Sequence, residues 1–335
     1  MGNIPKSKER IAKDRGDMIY WAIYLLGGMA MTTDQIAVLL QADAAAVLEM
    51  DRQHYFKQVK QAAQIIAANS ERRPVILLAG PSGSGKTTSA LLIQRELEEM
   101  GMRTHMLPMD DYFSPLTEEE LALLKENKLD LEKPTRVDIP FFQKQLGQLL
   151  AGERVELPRY DFKESKRVFD GRFLQRKPGE LIIMEGIHAL NPQVTGYADQ
   201  TSRVYVSVRT RITSRDGTTL HPSYIRLARR LLRDRTGRNR ALTETIGMRQ
   251  RVDQGEQNYI MPFKGLAHCS IDSFYSCEMS IYRPYLLEEL RQLLPKHPDL
   301  RDMVHIMEEL PTVPAELIPG DSLLREFIGG SDLNY

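Results

Sequence analysis

The sequence predicts an α/β protein with a mainly parallel sheet that helices cover on both faces. Short apolar runs of strand length, among them Val75–Ala79, Leu181–Met184 and Val204–Val208, alternate with longer segments of helical periodicity. The chain has 335 residues, of which 42% are hydrophobic and 27% are charged, as in a folded soluble protein rather than a disordered or fibrous one. Length and pattern together predict one large domain or two ordinary ones.

The sequence predicts that residues 1–70 form a small helical N-terminal extension. The apolar run Met18–Met31 follows several basic residues, but its fourteen residues are too few to cross a bilayer as a helix. No cleavage site of a secretory signal follows the run, so we expect a buried helix from Asp17 onward. The polar segment Glu71–Arg73 marks the predicted boundary with a second domain over 71–335.

Charge and cysteine content exclude several classes of protein. Lys and Arg total 45, as do Asp and Glu, so no net field favours a protein that coats nucleic acid or an anionic membrane. The two cysteines, Cys269 and Cys277, are too few for a disulfide framework or a four-ligand zinc site. We expect reduced thiols in a cytoplasmic protein.

The elements of the second domain follow the strand Val75–Ala79 in order. Helical periodicity predicts a helix that ends near Met100 and further helices over Thr117–Asn127, Asp138–Ala151, Ser223–Asp234 and Thr243–Tyr259. Strands are predicted over Arg103–Met109, Arg154–Phe162 and Arg167–Leu174, in addition to the buried runs named above. The strands Arg154–Phe162 and Arg167–Leu174 are expected to form a β-hairpin insertion.

A glycine-rich loop lies between the first predicted strand and its helix. GPSGSGKT, at positions 80–87, matches the pattern G-x-x-x-x-G-K-[ST] in full. Glycines let backbone N–H groups point at a phosphate chain, Lys86 should reach the β and γ phosphates, and the Thr87 hydroxyl should bind Mg²⁺. The sequence therefore predicts a binding site for ATP or GTP. The residues expected to contact the nucleotide are Gly80, Pro81, Ser82, Gly83, Ser84, Gly85, Lys86, Thr87 and Thr88.

Three carboxylates stand where predicted strands end. Asp110 and Asp111 follow the second strand, and either could accept a proton from a hydroxyl that receives a phosphoryl group. Glu185 ends the strand Leu181–Met184, which is the general place of an acidic residue that supports Mg²⁺. His188 lies nearby, and we assign it no role because a lone histidine is more often structural.

A basic segment follows. Between Arg203 and Arg251 there are thirteen arginines, no lysine and three acidic residues. Arginine holds phosphate oxygens in a bidentate manner, so an arginine-rich lid over residues 226–240 that closes on a triphosphate is favoured beside the glycine-rich loop. Binding of nucleic acid and a solvated helix face remain the alternatives.

The ordered motifs GPSGSGKT, MDDYF, LPRYDF, LIIMEGIHAL and RRLLRDRTGRNR resemble the uridine kinase family of P-loop kinases, within the phosphoribulokinase/uridine kinase group. The stretch DSLLREFIGGS, at positions 321–331, is similar to the kinase half of long bacterial nucleoside kinases. The resemblance covers about Glu71–Ser331 and implies the P-loop NTPase fold. Residues 1–70 lie outside it and inherit no role.

The resemblance also implies roles for individual residues. It implies that Asp110, not Asp111, is the catalytic base, and that Glu185 supports the metal together with Thr87. It places the acceptor near Phe113, Glu132 and Tyr160. The lid arginines that it implies are Arg230 and Arg233 as catalytic groups and Arg238 and Arg240 at the nucleotide.

Acceptor recognition departs from the family pattern. Ser165 stands where uridine kinases have a histidine that reads the pyrimidine, Met248 stands in place of a glutamine, and Glu132 replaces the aspartate that holds the ribose. The resemblance implies phosphorylation of a nucleoside such as uridine or cytidine to its 5′-monophosphate, with ATP and Mg²⁺ as cofactors.

Two alternatives remain open. One is a kinase of another small hydroxyl acceptor, such as a sugar phosphate or a pantothenate-like molecule. The other is a regulator that a nucleotide switches and that binds RNA or DNA. The favoured interpretation expects a small-molecule acceptor, no nucleic acid and no membrane, and it leaves a homo-oligomer open.

Overall fold

The computed structural model describes residues 30–126, 128–196 and 198–333, which belong to two compact units. The helix expected from Asp17 onward lies outside the described residues except at its last positions. None of the helices in the described part of the chain combines the length and the hydropathy that a membrane span needs. The domain boundary predicted near Glu71 stays a prediction.

The described elements are these, in chain order. The strands are β1 (Ala30–Thr32), β2 (Val75–Ala79), β3 (Thr104–Pro108), β4 (Arg154–Asp161), β5 (Lys166–Gln175), β6 (Leu181–Glu185), β7 (Thr201–Ser207), β8 (Arg211–Thr213), β9 (Thr219–Leu220) and β10 (Cys269–Asp272). The α-helices are α1 (Thr33–Ala67), α2 (Lys86–Glu99), α3 (Glu118–Lys125), α4 (Ile139–Leu150), α5 (Pro192–Thr195), α6 (Pro222–Arg238), α7 (Leu242–Tyr259), α8 (Glu278–Leu293), α9 (Arg301–Glu309) and α10 (Arg325–Ile328).

The larger unit comprises the described residues of 54–207, 229–273 and 320–335, and it contains a five-stranded sheet. The strand order is β10-β7-β2-β6-β3, and every neighbouring pair is parallel. All five residues of the central strand β2 are buried, as expected of an aliphatic strand that is covered on both faces. The predicted α/β class, with a mainly parallel sheet flanked by helices, is confirmed.

One face of this sheet packs on helix α4. Phe142, Leu146 and Leu149 recur at helical spacing and are fully buried in one apolar cluster with Leu77 and Met184 of the sheet. Removing such a side chain would cost roughly 2–5 kcal/mol, because a cavity would replace it. The cluster holds β2 and β6 in place, and the candidate site lies where these strands end.

The hairpin of β4 and β5 is a separate two-stranded antiparallel sheet, as predicted. Its strands are joined by a turn in which Ser165 has a φ of 49°, in the left-handed region. The backbone N–H of Leu116 donates to the carbonyl of Ser165 at 3.1 Å. The hairpin turn is thereby tied to the segment that precedes α3.

The smaller unit contains the described residues up to Gln53, together with Val208–Ala228 and Phe274–Pro319. Its sheet has the order β1-β8-β9, with β1 parallel to β8 and β9 antiparallel to it. The helix expected over the apolar run to Met31 would include Ala30 and Met31, but these residues form β1 together with Thr32. Three residues are too few to show a strand period, and only the pairing with β8 identifies the strand.

Helix α1 has a kink at Asp43, which is non-helical, and the Asp43 carboxylate caps the second part of the helix by accepting from the N–H of Ala46 at 2.9 Å. Helix α6 is longer than predicted. It extends to Arg238, so it continues four residues beyond the predicted helix Ser223–Asp234. The arginines keep their helical spacing as far as Arg238, so the predicted helix ended too early at Asp234.

Candidate active site

The sheet register brings three sequence motifs to one edge. Glu185 pairs with Leu78 of β2 on one side and with Pro108 of β3 on the other. The loop that follows β2, the carboxylate of Glu185 and Asp110 therefore lie at the carboxyl ends of three adjacent parallel strands, where ligands of open α/β sheets bind. A Cβ at Gly186 would lie 2.8 Å from the Cβ of Met109, so glycine is needed for the close approach of these two segments.

The glycine-rich loop has the geometry of a phosphate cradle. Gly83 and Gly85 have φ values of 76° and 81°, which side chains rarely adopt. Helix α2 begins at Lys86 without a side-chain cap from Gly85, and the first backbone N–H groups of a helix have no partner within it. The hydroxyl of Ser84 is enclosed by protein and makes no hydrogen bond. These features suit a bound phosphate chain.

Lys86 is the cation of this loop. Its ammonium Nζ donates to the carbonyl of Pro81 at 3.3 Å. Its charge opposes the rise in pKa that burial causes at both Glu185 and Asp110, so Lys86 faces the two carboxylates as well as the loop. A lysine held in this position is close to the developing charge of a transferred phosphoryl group.

Thr87 and Glu185 form an oxygen donor pair suited to Mg²⁺. The Thr87 hydroxyl donates to Oε1 of Glu185 at 3.3 Å. Burial raises the pKa of Glu185 to about 7, and a divalent cation beside it would favour the charged form. Among the described residues, no three His, Cys, Asp or Glu side chains cluster to hold a metal by themselves. The pair fits Mg²⁺, which usually takes few protein ligands and fills its shell with phosphate oxygens and water.

The two neighbouring aspartates have different surroundings. Oδ1 of Asp111 accepts from the backbone N–H of Tyr160 at 3.0 Å, which ties Asp111 to the hairpin. Asp110 is open to solvent at one side, yet the enclosing protein desolvates its carboxyl and raises its pKa, against the charges of Lys86 and of two lid arginines, Arg238 and Arg233. Asp110 is therefore the one of the pair that faces the cations of the site.

A buried carboxylate organises the lid arginines. Asp234 is 2% exposed, and its oxygens lie 3.2 Å from Nη2 of Arg233, 3.3 Å from Nη1 of Arg238 and 3.3 Å from Nη1 of Arg240. The Thr245 hydroxyl also donates to it, at 3.1 Å. Burial alone would raise the pKa of Asp234, but the arginines outweigh this and hold the pKa below its ordinary value. Asp234 thus gathers three of the four lid arginines named from the sequence.

The fourth lid arginine, Arg230, lies on the same helix and is buried. Burial raises the pKa of Glu132, and the charge of Arg230 is the largest of the influences that lower it. Arg230 therefore faces the predicted acceptor side of the site, whereas Arg233 and Arg238 face Asp110.

Sequence reasoning missed Arg229, which holds the glycine-rich loop. Its side chain is fully buried, and Nη1 donates to the carbonyl of Gly83 and to the Ser273 hydroxyl, each at 3.1 Å. Nη2 donates to the carbonyl of Ser273 at 2.6 Å, and the guanidinium lies 5.1 Å from the ring centre of Phe327. The only sequence signal was its place in a series of similar arginines, which does not distinguish it.

Two titratable groups lie at the predicted acceptor position. Oε2 of Glu132 is enclosed and makes no hydrogen bond, and burial raises the pKa of Glu132 to about 7. His188 is 2% exposed, and neither of its ring nitrogens makes a hydrogen bond of normal geometry. Burial lowers the pKa of His188 to about 4, and the nearby backbone of Glu132 and Lys133 offsets this only in part. At pH 7 His188 is therefore neutral, whereas Glu132 is about half protonated.

Helix α7 approaches Glu132 closely. A Cβ at Gly255 would lie 2.3 Å from the Cβ of Glu132 and 2.7 Å from its Cγ. Only glycine allows this contact without a shift of Glu132. The same helix carries Met248, which is half-buried.

Aromatic side chains from the hairpin meet the segment that follows Asp111. Phe113 and Tyr160 have ring centres 5.6 Å apart, and Phe162 lies 5.1 Å from Tyr160, both in edge-to-face arrangements. Arg136, which sequence reasoning did not single out, is buried, donates to the Tyr160 hydroxyl at 3.4 Å and lies 5.7 Å from the Phe113 ring. Phe113 and Tyr160, both expected near the acceptor, are therefore neighbours.

Comparison with known proteins places this arrangement in a family. Residues 75–280 match the model of the phosphoribulokinase/uridine kinase family. A uridine kinase of Lactobacillus helveticus is 35% identical over 176 residues, which cover 52% of this chain and 74% of that protein. A uridine kinase of Lactiplantibacillus plantarum is 30% identical over 180 residues, which cover 53% of this chain and 77% of that protein.

Among solved structures, a D-glycerate 3-kinase from Cryptococcus neoformans is similar at 15% identity, over 60% of this chain and 87% of that one, with a TM-score of 0.43. A likeness at this identity and TM-score carries no argument about function. The family match extends from the first residue of β2 into helix α8, and so spans the glycine-rich loop, the carboxylates and the lid. The chain belongs to the phosphoribulokinase/uridine kinase family and is an ATP-dependent kinase.

Proposed function

We propose that this kinase transfers the γ-phosphoryl group of ATP to a hydroxyl of a nucleoside of the uridine or cytidine type, with the 5′-monophosphate as product. The observation that carries the proposal is the convergence of Lys86 and the lid arginines on Asp110, while Asp111 is engaged by the hairpin. A carboxylate that faces cations beside a phosphate loop is placed for phosphoryl transfer to an alcohol.

The phosphate chain lies along the residues of the glycine-rich loop, with Thr88 at its end. Lys86 binds phosphate oxygens, Arg230 and Arg233 stabilise charge on the moving group, and Arg238 and Arg240 bind the nucleotide. Thr87 and Glu185 would hold Mg²⁺, which neutralises charge on the phosphates when it is bound. Asp234 keeps the arginines aligned before the reaction, so little reorganisation is needed at the moment of transfer.

Asp110 supplies the base. Its carboxylate accepts the proton of the acceptor hydroxyl as the acceptor oxygen bonds to the γ-phosphorus, and the bond from that phosphorus to the bridging oxygen breaks to release ADP. The raised pKa of Asp110 makes it a stronger base than an ordinary aspartate. Closure of the arginine lid excludes water, which would otherwise compete as acceptor.

The acceptor side is proposed from Glu132, Phe113 and Tyr160. The enclosed oxygen of Glu132 can accept a hydrogen bond from an acceptor hydroxyl, or donate one when protonated. The aromatic pair Phe113 and Tyr160 offers a surface for a flat base. The names of the curated relatives support a nucleoside as the acceptor.

The arginine lid argues for a kinase rather than a nucleic-acid-binding regulator. Arg233, Arg238 and Arg240 are gathered around one buried carboxylate, which leaves less free charge for a polyanion than an unpaired basic face would. A titration with labelled RNA should accordingly find weak binding at physiological salt.

The test is release of ADP from ATP and Mg²⁺ across a panel of nucleosides, sugar phosphates and pantothenate, with mass detection of the phosphorylated product. We expect turnover with uridine or cytidine and none by Lys86→Ala. Turnover only with another acceptor would replace the substrate and keep the mechanism. Normal turnover by Lys86→Ala would refute the role of the loop.

A further inference from the structure

The segment Asp321–Ser331, called the C-terminal segment here, packs on the glycine-rich loop. Its residue Leu323 approaches Gly85 so closely that a Cβ there would lie 2.4 Å from Cδ1 of Leu323. Its Phe327 is fully buried beside Arg229, whose guanidinium holds the carbonyl of Gly83. The segment therefore contacts the loop directly and also through Arg229.

Glu326 lies in the same segment and faces the start of helix α2. Its Oε2 accepts from the backbone N–H of Thr88 at 3.3 Å and also from the Thr88 hydroxyl. Thr88 is the third residue of α2, so its N–H is one of the helix donors that have no partner within the helix. The charge of Glu326 also contributes to the raised pKa of Glu185, which confirms that it faces the site.

The phosphate chain of a nucleotide needs these same donors. A helix N-terminus binds phosphate through its first backbone N–H groups and its partial positive charge. One N–H group cannot donate a full hydrogen bond to a carboxylate and to a phosphate oxygen at the same time. A carboxylate and a phosphate that both approach this N–H group also repel each other, because both are negatively charged. A phosphate chain that reaches Thr88 must therefore displace Glu326 or bind beside an unfavourable negative charge.

We propose that Glu326 is an internal competitor of the nucleotide and sets the affinity of the site for phosphate. Binding of ATP moves the carboxylate off Thr88, and the free energy of breaking that contact is subtracted from the binding free energy. The C-terminal segment contacts Gly85 and Arg229 as well, so displacement of Glu326 is coupled to the packing of the loop. This inference rests on the proposed binding of ATP at the loop.

The direct test is Glu326→Gln, which keeps a side-chain oxygen as acceptor for Thr88 and removes the charge. Charge-assisted hydrogen bonds are roughly twice as strong as neutral ones, so we expect the Kd for ATP to fall about fivefold to tenfold. The control is Glu99→Gln, which removes one charge from the exposed far end of the same helix and should leave the Kd unchanged. Calorimetric titration in EDTA excludes any contribution of a metal.

Two further ligands locate the effect. Inorganic tripolyphosphate should gain affinity in Glu326→Gln as ATP does, because it carries the phosphate chain alone. Adenosine should bind both forms equally. A gain in affinity cannot arise from a misfolded variant, which keeps the test decisive.

Unchanged or weaker binding of ATP by Glu326→Gln would overturn the inference, as would an equal gain for adenosine. Failure of the unmodified protein to bind ATP both in EDTA and with Mg²⁺ would instead refute the proposed function. The two failures are therefore distinguishable in the same set of titrations.

Discussion

The contact between Gly255 and Glu132 provides a matched test of how helix α7 shapes the acceptor side. Gly255→Ala adds a Cβ that would lie 2.3 Å from the Cβ of Glu132. The Cβ of Glu132 is bonded directly to the backbone, so no side-chain rotation can move it away. Gly247→Ala makes the same change on the same helix, where a Cβ would meet nothing within 4 Å. Gly247 is exposed and Gly255 is buried, and only at Gly255 would the new methyl group meet Glu132.

The magnitudes follow from helix propensity and overpacking. Alanine in a helix interior is more favourable than glycine by about 1 kcal/mol, so Gly247→Ala should stabilise the protein by up to that amount. At Gly255 the same gain is offset by a clash of about 1–3 kcal/mol, so the variant should be less stable than Gly247→Ala by a similar difference. The shift of Glu132 should also raise KM for the acceptor by about tenfold, because a misplaced hydrogen-bonding group loses most of its contribution.

The assay is thermal unfolding of both variants beside the unmodified protein, followed by KM for the acceptor and for ATP. We expect Gly255→Ala to unfold at lower temperature than Gly247→Ala and to raise KM for the acceptor but not for ATP. Equal stability of the two variants, with unchanged KM values, would refute the reasoning that the glycine is needed to seat Glu132.

Two further predictions concern the charges of the site. Asp234→Asn should lower kcat about tenfold to a hundredfold, because three lid arginines lose the carboxylate that holds them. Asp234→Glu should recover part of that loss. Steady-state kinetics measure both, and an unchanged kcat for Asp234→Asn would contradict the positioning role of Asp234. Because the pKa of Glu132 is raised from 4.5 to about 7 in the folded protein, the folded state binds this proton more tightly, so stability should fall as pH rises from about 4.5 to about 7. Glu132→Gln abolishes that loss, and its stability should exceed that of the unmodified protein by about 3 kcal/mol at pH 8 but not at pH 4; urea unfolding at both pH values checks this, with Glu99→Gln as the control that should show no such difference.

Part of the larger unit was predictable because its central strands β2 and β6 are almost wholly buried. Runs such as Val75–Ala79 and Leu181–Met184 have no polar interruption, so both the strands and their parallel pairing could be expected. The glycine-rich loop and Glu185 were then located by their places directly after strands. Motif spacing and the predicted strand ends were thus sufficient to identify most residues of the candidate site.

The remainder depends on contacts that no local pattern shows. Arg229 and Arg230 are adjacent and of one residue type, yet Arg229 holds the loop at Gly83 while Arg230 faces Glu132. Position alone left Asp110 and Asp111 equivalent, and the hydrogen bond to Asp111 from the hairpin separates them. Long-range packing decides each of these cases, so the sequence could only list the candidates.

The short elements of the smaller unit were missed for a different reason. Strands β1, β8 and β9 contain two or three residues each, which is less than one clear period of alternation. Strand β10 of the larger unit has four residues, of which Ser270 and Asp272 are polar, so it also lacks a strong apolar signal. The pairing partners of β1 and β10 lie far away in sequence and cannot be identified from composition.

The central claim is that Asp110 activates a hydroxyl for direct transfer of the γ-phosphoryl group. The most direct measurement follows ATP labelled at the γ-phosphate in a single turnover with uridine, for the unmodified protein and for Asp110→Asn. The account predicts label in uridine 5′-monophosphate, a rate at least about a hundredfold lower in Asp110→Asn, and ATP binding within about twofold of normal. Label released only as inorganic phosphate, or a variant that transfers at the normal rate, would contradict it.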